Sequence, residues 1–160
     1  MIEPRFKFYG MPSNWSLIAA KLSNSLRRET IKNVEKELCN FLELPNFKFT
    51  TQCRAAIYLA VKNAISSNRV EIIIPAYTIY DVVNMIIAGG GKPVFADVSM
   101  TSGNIDVKTL PSKINGQTAA VIVPHLHGIP ADIEEIRTIC NQENILMIED
   151  VAQAMGSRVQ

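Results

Sequence analysis

Short apolar runs alternate along this chain with helix-length segments of mixed polarity, and that alternation restricts the fold more than any other feature. Strands are expected at 70–74, 93–98, 119–123 and 145–149, with a further strand near 47–51. Helices are expected between them at about 54–66, 80–88 and 131–141, with a short helical turn around 107–110. Helices that join successive strands imply right-handed crossovers. The expected fold class is therefore α/β, a mainly parallel sheet with helices on both faces. Gly89-Gly90-Gly91 reads as a tight connector closing a helix, since glycine accepts the left-handed conformation that ends helices.

Ahead of that pattern, residues 1–14 carry Pro4, Gly10 and Pro12 among aromatics and read as an extended arm. The spacing Leu17, Ile18, Leu22, Leu26 and then Ile31, Val34, Leu38, Phe41, Leu42 suits two amphipathic helices, broken near Arg28-Glu29-Thr30, and Pro45 ends the second. The expected division is residues 1–44, arm and helices, and residues 45–160, the α/β part.

The last strand carries the chemistry that stands out. Ile145-Leu146-Met147-Ile148 reads as buried on both faces, and it runs into Glu149-Asp150, placing a carboxylate pair where open α/β sheets bind ligands. Adjacent carboxylates on an extended chain point to opposite faces, so one can face solvent or cap while the other is held against a cationic partner. Asp150, with Gln153 close behind, is the site candidate; its plain alternative is a cap for a helix starting at Val151. The helix opening at Cys53-Arg54-Ala55 offers free backbone N–H groups and a positive dipole end to an anion, and Arg54 could add charge. The alternative there is that Thr51-Gln52 cap the helix and Arg54 is solvated.

Composition closes off other classes. At 160 residues the chain can build one core, and 48% apolar with 19% charged residues is ordinary globular composition. A net charge of +1 with no basic stripe predicts no nucleic-acid partner. No apolar run approaches the ~18 residues of a membrane span, and the opening residues lack the order of a signal peptide, so no membrane association and a cytoplasmic location are expected. Cys39, Cys53 and Cys140 are odd in number and fit neither a disulfide framework nor a zinc motif. His125 and His127, i and i+2 on an expected extended segment, would lie on one side, but zinc needs a further ligand and none is evident; no metal is predicted.

Several segments, in order, resemble the DegT/DnrJ/EryC1/StrS aminotransferases, pyridoxal-phosphate (PLP) enzymes of fold type I that mostly act on nucleotide-linked keto sugars. They are Arg54-Ala55-Ala56-Ile57-Tyr58-Leu59-Ala60, Ile74-Pro75-Ala76-Tyr77-Thr78, Gly91-Lys92-Pro93-Val94-Phe95-Ala96-Asp97, Asn104-Ile105-Asp106, Val123-Pro124-His125-Leu126-His127-Gly128, Pro130-Ala131-Asp132 and Glu149-Asp150-Val151-Ala152-Gln153-Ala154. The resemblance implies that the turn at Cys53, Arg54 and Ala55 binds the PLP phosphate, although Cys53-Arg54 stand where the family usually has Gly-Thr. It implies that Asp150 partners the pyridine nitrogen, that Gln153 reaches the ring hydroxyl and that Ala152 lies under the ring. Ile79 would cover the other face, at a position where family members often have an aromatic. Tyr80 reads as a packing aromatic, and His125 as mainly structural.

The family's Schiff-base lysine would lie beyond Gln160, and none of Lys7, Lys21, Lys32, Lys36, Lys48, Lys62, Lys92, Lys108 and Lys113 occupies its place. The resemblance thus implies an incomplete large domain, with an unfilled sheet edge exposing apolar surface. Its implied function is the N-terminal part of an aminotransferase moving an amino group from a donor such as glutamate to a keto group on a nucleotide sugar, inactive alone. Homodimerisation, or association with a complementary C-terminal segment, goes with that reading. Three alternatives stay open: a non-catalytic remnant that pairs with a full-length homologue, the family's dehydratase branch, in which histidine replaces the lysine, and an unrelated doubly wound domain binding another phosphorylated ligand at Cys53-Arg54.

Overall fold

A computed structural model of the chain describes residues 28–157. The chain divides between Phe49 and Thr50 into two units. In the first, α1 (Arg28–Leu42) is one continuous helix. It stops at Glu43, which takes the left-handed φ of 55°, and Leu44 N–H donates to the Cys39 carbonyl at 2.9 Å just before Pro45. The arm and the first of the two expected N-terminal helices lie outside the described residues. The strand expected near 47–51 does not form. Phe47 and Phe49 alternate as strand residues do, but they pack edge to face on each other at 5.1 Å, and among the described residues the segment has no neighbouring strand to complete its ladder.

The second unit is a four-stranded sheet of β1 (Glu71–Pro75), β2 (Lys92–Ala96), β3 (Thr118–Pro124) and β4 (Leu146–Asp150), in the order β2-β1-β3-β4 and parallel throughout. Its helices are α2 (Cys53–Ala64), α3 (Tyr80–Ala88) and α4 (Ile133–Gln142), with 3-10 turns at Leu110–Lys113 and Leu126–Gly128. The expected turn near 107–110 therefore closes a few residues later, where Pro111 supports it.

Strand alternation sorts the core into two layers. Ile72, Ile74, Ala120 and Ile122 face Ile57 and Val61 of α2 and Val82 and Ile86 of α3. Ile73, Val121 and Val123 face Ile133, Ile136 and Cys140 of α4, together with Leu110. Each of these large aliphatic side chains contributes about 1.5–3 kcal/mol on burial, which is why β1 and β3 are buried along their whole length. The parallel sheet with helices on both faces is as the sequence predicts.

β4 differs from expectation. Ile145 is buried just ahead of it, but Leu146 is 49% exposed and Met147 and Ile148 are only partly covered. Among the described residues β4 is an edge strand with β3 as its one neighbour.

At the opposite, N-terminal end of the strands, Glu71 fastens three segments. Its buried carboxylate accepts from Lys92 Nζ at 2.9 Å and from Asn115 Nδ2 at 2.8 Å. The Lys92 ammonium, followed by the Asn115 amide, holds that carboxyl below the usual carboxylate range. In the glycine run, Gly90 takes the left-handed conformation (φ 91°), and a Cβ on Gly89 would come within 2.9 Å of Val61 Cγ1.

Candidate active site

β1 hands the chain to β2 on one side, and β3 hands it to β4 on the other. The sheet therefore switches direction between β1 and β3, and open α/β sheets bind ligands beyond the strand ends at such a point. α2 runs antiparallel to the strands and brings its N-terminus to that same end. Gln52 is extended there (φ −156°, ψ 154°), and its carbonyl accepts the Ala55 and Ala56 N–H groups at 3.0 and 3.3 Å. The N–H groups of Cys53 and Arg54 have no acceptor among the described residues, and no acidic side chain lies in the first turn. A helix start with these properties binds anions.

The Gln52 side chain does not cap α2. Its Oε1 accepts from Arg54 Nε and Nη2 at 3.3 and 3.0 Å. Arg54 Nη1 meanwhile pairs with Asp81 Oδ2 at 2.8 Å, tying the start of α2 to the first turn of α3; both side chains are about half exposed. Such a pair contributes up to about 1 kcal/mol and fixes where the guanidinium sits.

The two carboxylates at the end of β4 leave on opposite sides, as alternation requires. Glu149 takes the α4 side: Oε1 is 3.5 Å from Arg137 Nη2, and Oε2 is 3.5 Å from Nε2 of the buried His125. His125 Nδ1 accepts the Ala131 N–H at 3.0 Å, so its ring proton sits on Nε2, facing Glu149. Asp150 takes the α2 side. Its negative charge, after burial as the larger cause, raises the Cys53 thiol above its usual range, so the strand end and the helix start are electrostatic neighbours. Asp150 Oδ1 accepts the Ala152 N–H at 3.1 Å, and its carbonyl accepts the His125 N–H at 3.1 Å. No helix follows at Val151; the carboxylate caps a turn instead.

Gln153 Oε1 accepts the His127 N–H at 2.8 Å, which leaves Nε2 as the amide's free end. Ala152 is exposed. Ile79, at the start of α3, is 59% exposed, and Tyr77 sits with its ring 6.5 Å from that of His127. Tyr80, read as a packing aromatic, is instead 76% exposed, because the α3 stripe that meets the core runs through Val82 and Ile86. The extended segment expected to carry both histidines on one side is also overturned. His127 adopts a left-handed φ of 58° inside the Leu126–Gly128 turn, so His125 is buried while His127 is exposed. Among the described residues no group of three or more His, Cys, Asp or Glu side chains is arranged to hold a metal. Lys62 lies in the last turn of α2 near the Tyr58 hydroxyl, and Lys92 is at the Glu71 end of the sheet, away from Asp150.

A parallel sheet that gathers a helix N-terminus and a strand-end carboxylate at its switch point is the large-domain arrangement of fold-type-I PLP enzymes. The chain belongs to the DegT/DnrJ/EryC1/StrS aminotransferase family, whose family model matches residues 18–160. It is 32% identical over 135 residues to GDP-perosamine synthase of Vibrio cholerae, covering 84% of this chain and 37% of that protein. Among solved structures it resembles Helicobacter pylori PseC, an aminotransferase involved in the biosynthesis of pseudoaminic acid, with a TM-score of 0.74 at 28% identity over 79% of this chain and 34% of that one. It also resembles NtdA from Bacillus subtilis with bound cofactor PMP, with a TM-score of 0.72 at 28% identity over 78% of this chain and 29% of that one. The chain thus spans about a third of the length of these relatives, 29–37%.

Proposed function

We propose that this chain supplies the cofactor-cradling N-terminal part of a PLP-dependent aminotransferase, which transfers an amino group from a donor such as glutamate to a keto group on a nucleotide-linked sugar. What carries the proposal is the convergence of the open α2 N-terminus and Asp150 at one end of the sheet. The family membership and the similarity to a GDP-perosamine synthase support the substrate class. Turnover belongs to the complete enzyme, and a cytoplasmic location is part of the same proposal.

The residues fit the cofactor's chemistry group by group. The unpartnered Cys53 and Arg54 N–H groups, at a helix start with no competing carboxylate, would receive the phosphate. Cysteine in place of glycine narrows the backbone's approach there, and the Ala55 N–H is already engaged. Asp150 spends one oxygen on Ala152, which pins its rotamer, and keeps the other for a protonated pyridine nitrogen held by a charge-assisted hydrogen bond. Gln153 would donate through its free Nε2 to the ring oxygen. Ala152 is small enough to leave room beneath the ring, and Ile79 would cover the other face by van der Waals contact. When bound, the group supplies an electron sink for charge developing on the substrate's reacting carbon.

The test uses pyridoxamine phosphate (PMP), which needs no lysine to bind. Titrated into the purified chain, PMP binds at one site, inorganic phosphate competes with it, and Asp150→Asn weakens it about tenfold or more, the scale of a lost charge-assisted bond. Absent binding, or binding indifferent to Asp150→Asn, would contradict the proposal.

A further inference from the structure

We infer that Asn104 is a positioning residue that fixes how Gln153 is presented to the cofactor, an inference that rests on the proposed function. Asn104 is 1% exposed, and both ends of its amide are spent on one distant loop. Nδ2 donates to the Ile129 carbonyl at 2.9 Å, and Oδ1 accepts the Leu126 N–H at 2.9 Å, reaching 25 and 22 residues along the chain. Asn104 is itself anchored. Its carbonyl accepts the Ser99 N–H at 2.8 Å, its N–H donates to Ser102 Oγ at 3.3 Å, and the adjacent Ile105 bridges to Val98.

The two amide bonds bracket a turn that would not hold its shape alone. Between them stand His127 (φ 58°) and Gly128 (φ 78°), two consecutive left-handed residues, the first of which carries a Cβ. Within that turn the His127 N–H donates to Gln153 Oε1 at 2.8 Å. With Oε1 occupied, Nε2 is the end of the amide left for a ligand oxygen. Released from Asn104, the turn can relax to an ordinary conformation. The His127 N–H then swings away, and Gln153 loses its one hydrogen-bond partner among the described residues.

The test compares Asn104→Ala, which removes both bonds, with Asn104→Asp, which is isosteric and keeps the acceptor for Leu126. In the cofactor-free chain, amide exchange and side-chain amide resonances are followed by NMR. Asn104→Ala is expected to lower His127 N–H protection about tenfold and move the Gln153 amide resonances toward those of an exposed glutamine; Asn104→Asp moves both less. With PMP, Asn104→Ala weakens binding up to about tenfold in the parent and adds nothing in a Gln153→Ala background, the signature of one coupled unit. Unchanged His127 protection and Gln153 resonances while Ile129 and its neighbours loosen would make Asn104 a loop fastener only and overturn the inference, as would additive losses of PMP affinity. Should Asn104→Ala fail to fold, Asn104→Asp carries the same readouts. A parent chain with no PMP affinity would overturn the proposed function, while the cofactor-free NMR readouts would still decide the role of Asn104.

Discussion

Residue by residue, the site depends on which atoms are spent and which are left. Gln153 is the clearest case, because one oxygen is committed to His127 and one nitrogen is free. Gln153→Glu, which replaces that donor with an acceptor, should weaken PMP binding more than Gln153→Ala does, as read by titration; equal losses would argue against a donated hydrogen bond. Glu71 is the counterpart at the structural end of the sheet. Its folded carboxyl sits below the ordinary 4.5, so its stabilising contribution is full above that value and is lost as pH falls through the folded one. Glu71→Gln should cost about 1–2 kcal/mol at neutral pH, since its partner Lys92 is largely exposed, and should flatten the acid side of the stability profile measured by urea midpoints. Asp150, with Gln153 close behind, stood out as a candidate in the sequence because a carboxylate at the end of an apolar strand needs a reason. Asn104 stood out only as part of a matching segment, and His127 gave no sign of its left-handed backbone, since nothing local to histidine requires it. Both depend on a loop that closes across more than 20 residues.

Among the elements, α2 and β4 hold opposite lessons. α3 spans Tyr80–Ala88 as periodicity predicts, and the four strands fall within a residue or two of expectation, because apolar runs bounded by turn residues mark them locally. The burial of β4 was not legible, since it depends on neighbours that the strand's own residues do not specify. The same is true of 47–51, whose alternation is correct but whose ladder has no partner among the described residues. For α2, the absence of an acid in the first turn leaves the helix dipole free for an anion. Ala55→Glu should therefore act in two directions, stabilising the helix by about 0.3–1 kcal/mol while lowering the affinity for inorganic phosphate and PMP. Thermal melts and titrations on the same sample would check both signs. For β4, Leu146→Lys should leave stability within about 0.5 kcal/mol in urea titrations; unfolding would mean that Leu146 is core rather than edge.

For the molecule as a whole, the two ends of the sheet differ. The N-terminal ends of β1 and β2 are locked by the Glu71–Lys92 pair with Asn115, and the C-terminal ends gather the α2 start, Asp150 and Gln153. The half-exposed Leu146 lies on the β4 edge of the sheet, where we propose that a partner, a second copy or a complementary C-terminal segment, would pair. Binding of the cofactor can be judged without such a partner, through Asp150, the carboxylate we assign to the pyridine nitrogen. The direct measurement is the titration of the pyridine nitrogen of 15N-labelled PMP bound to the chain, followed by NMR in the parent and in Asp150→Asn. Asp150 should hold that nitrogen protonated to higher pH than in free PMP, and the midpoint should fall in Asp150→Asn. Identical midpoints in the two proteins would contradict the assignment of Asp150 and, with it, the reading of this sheet end as a PLP cradle.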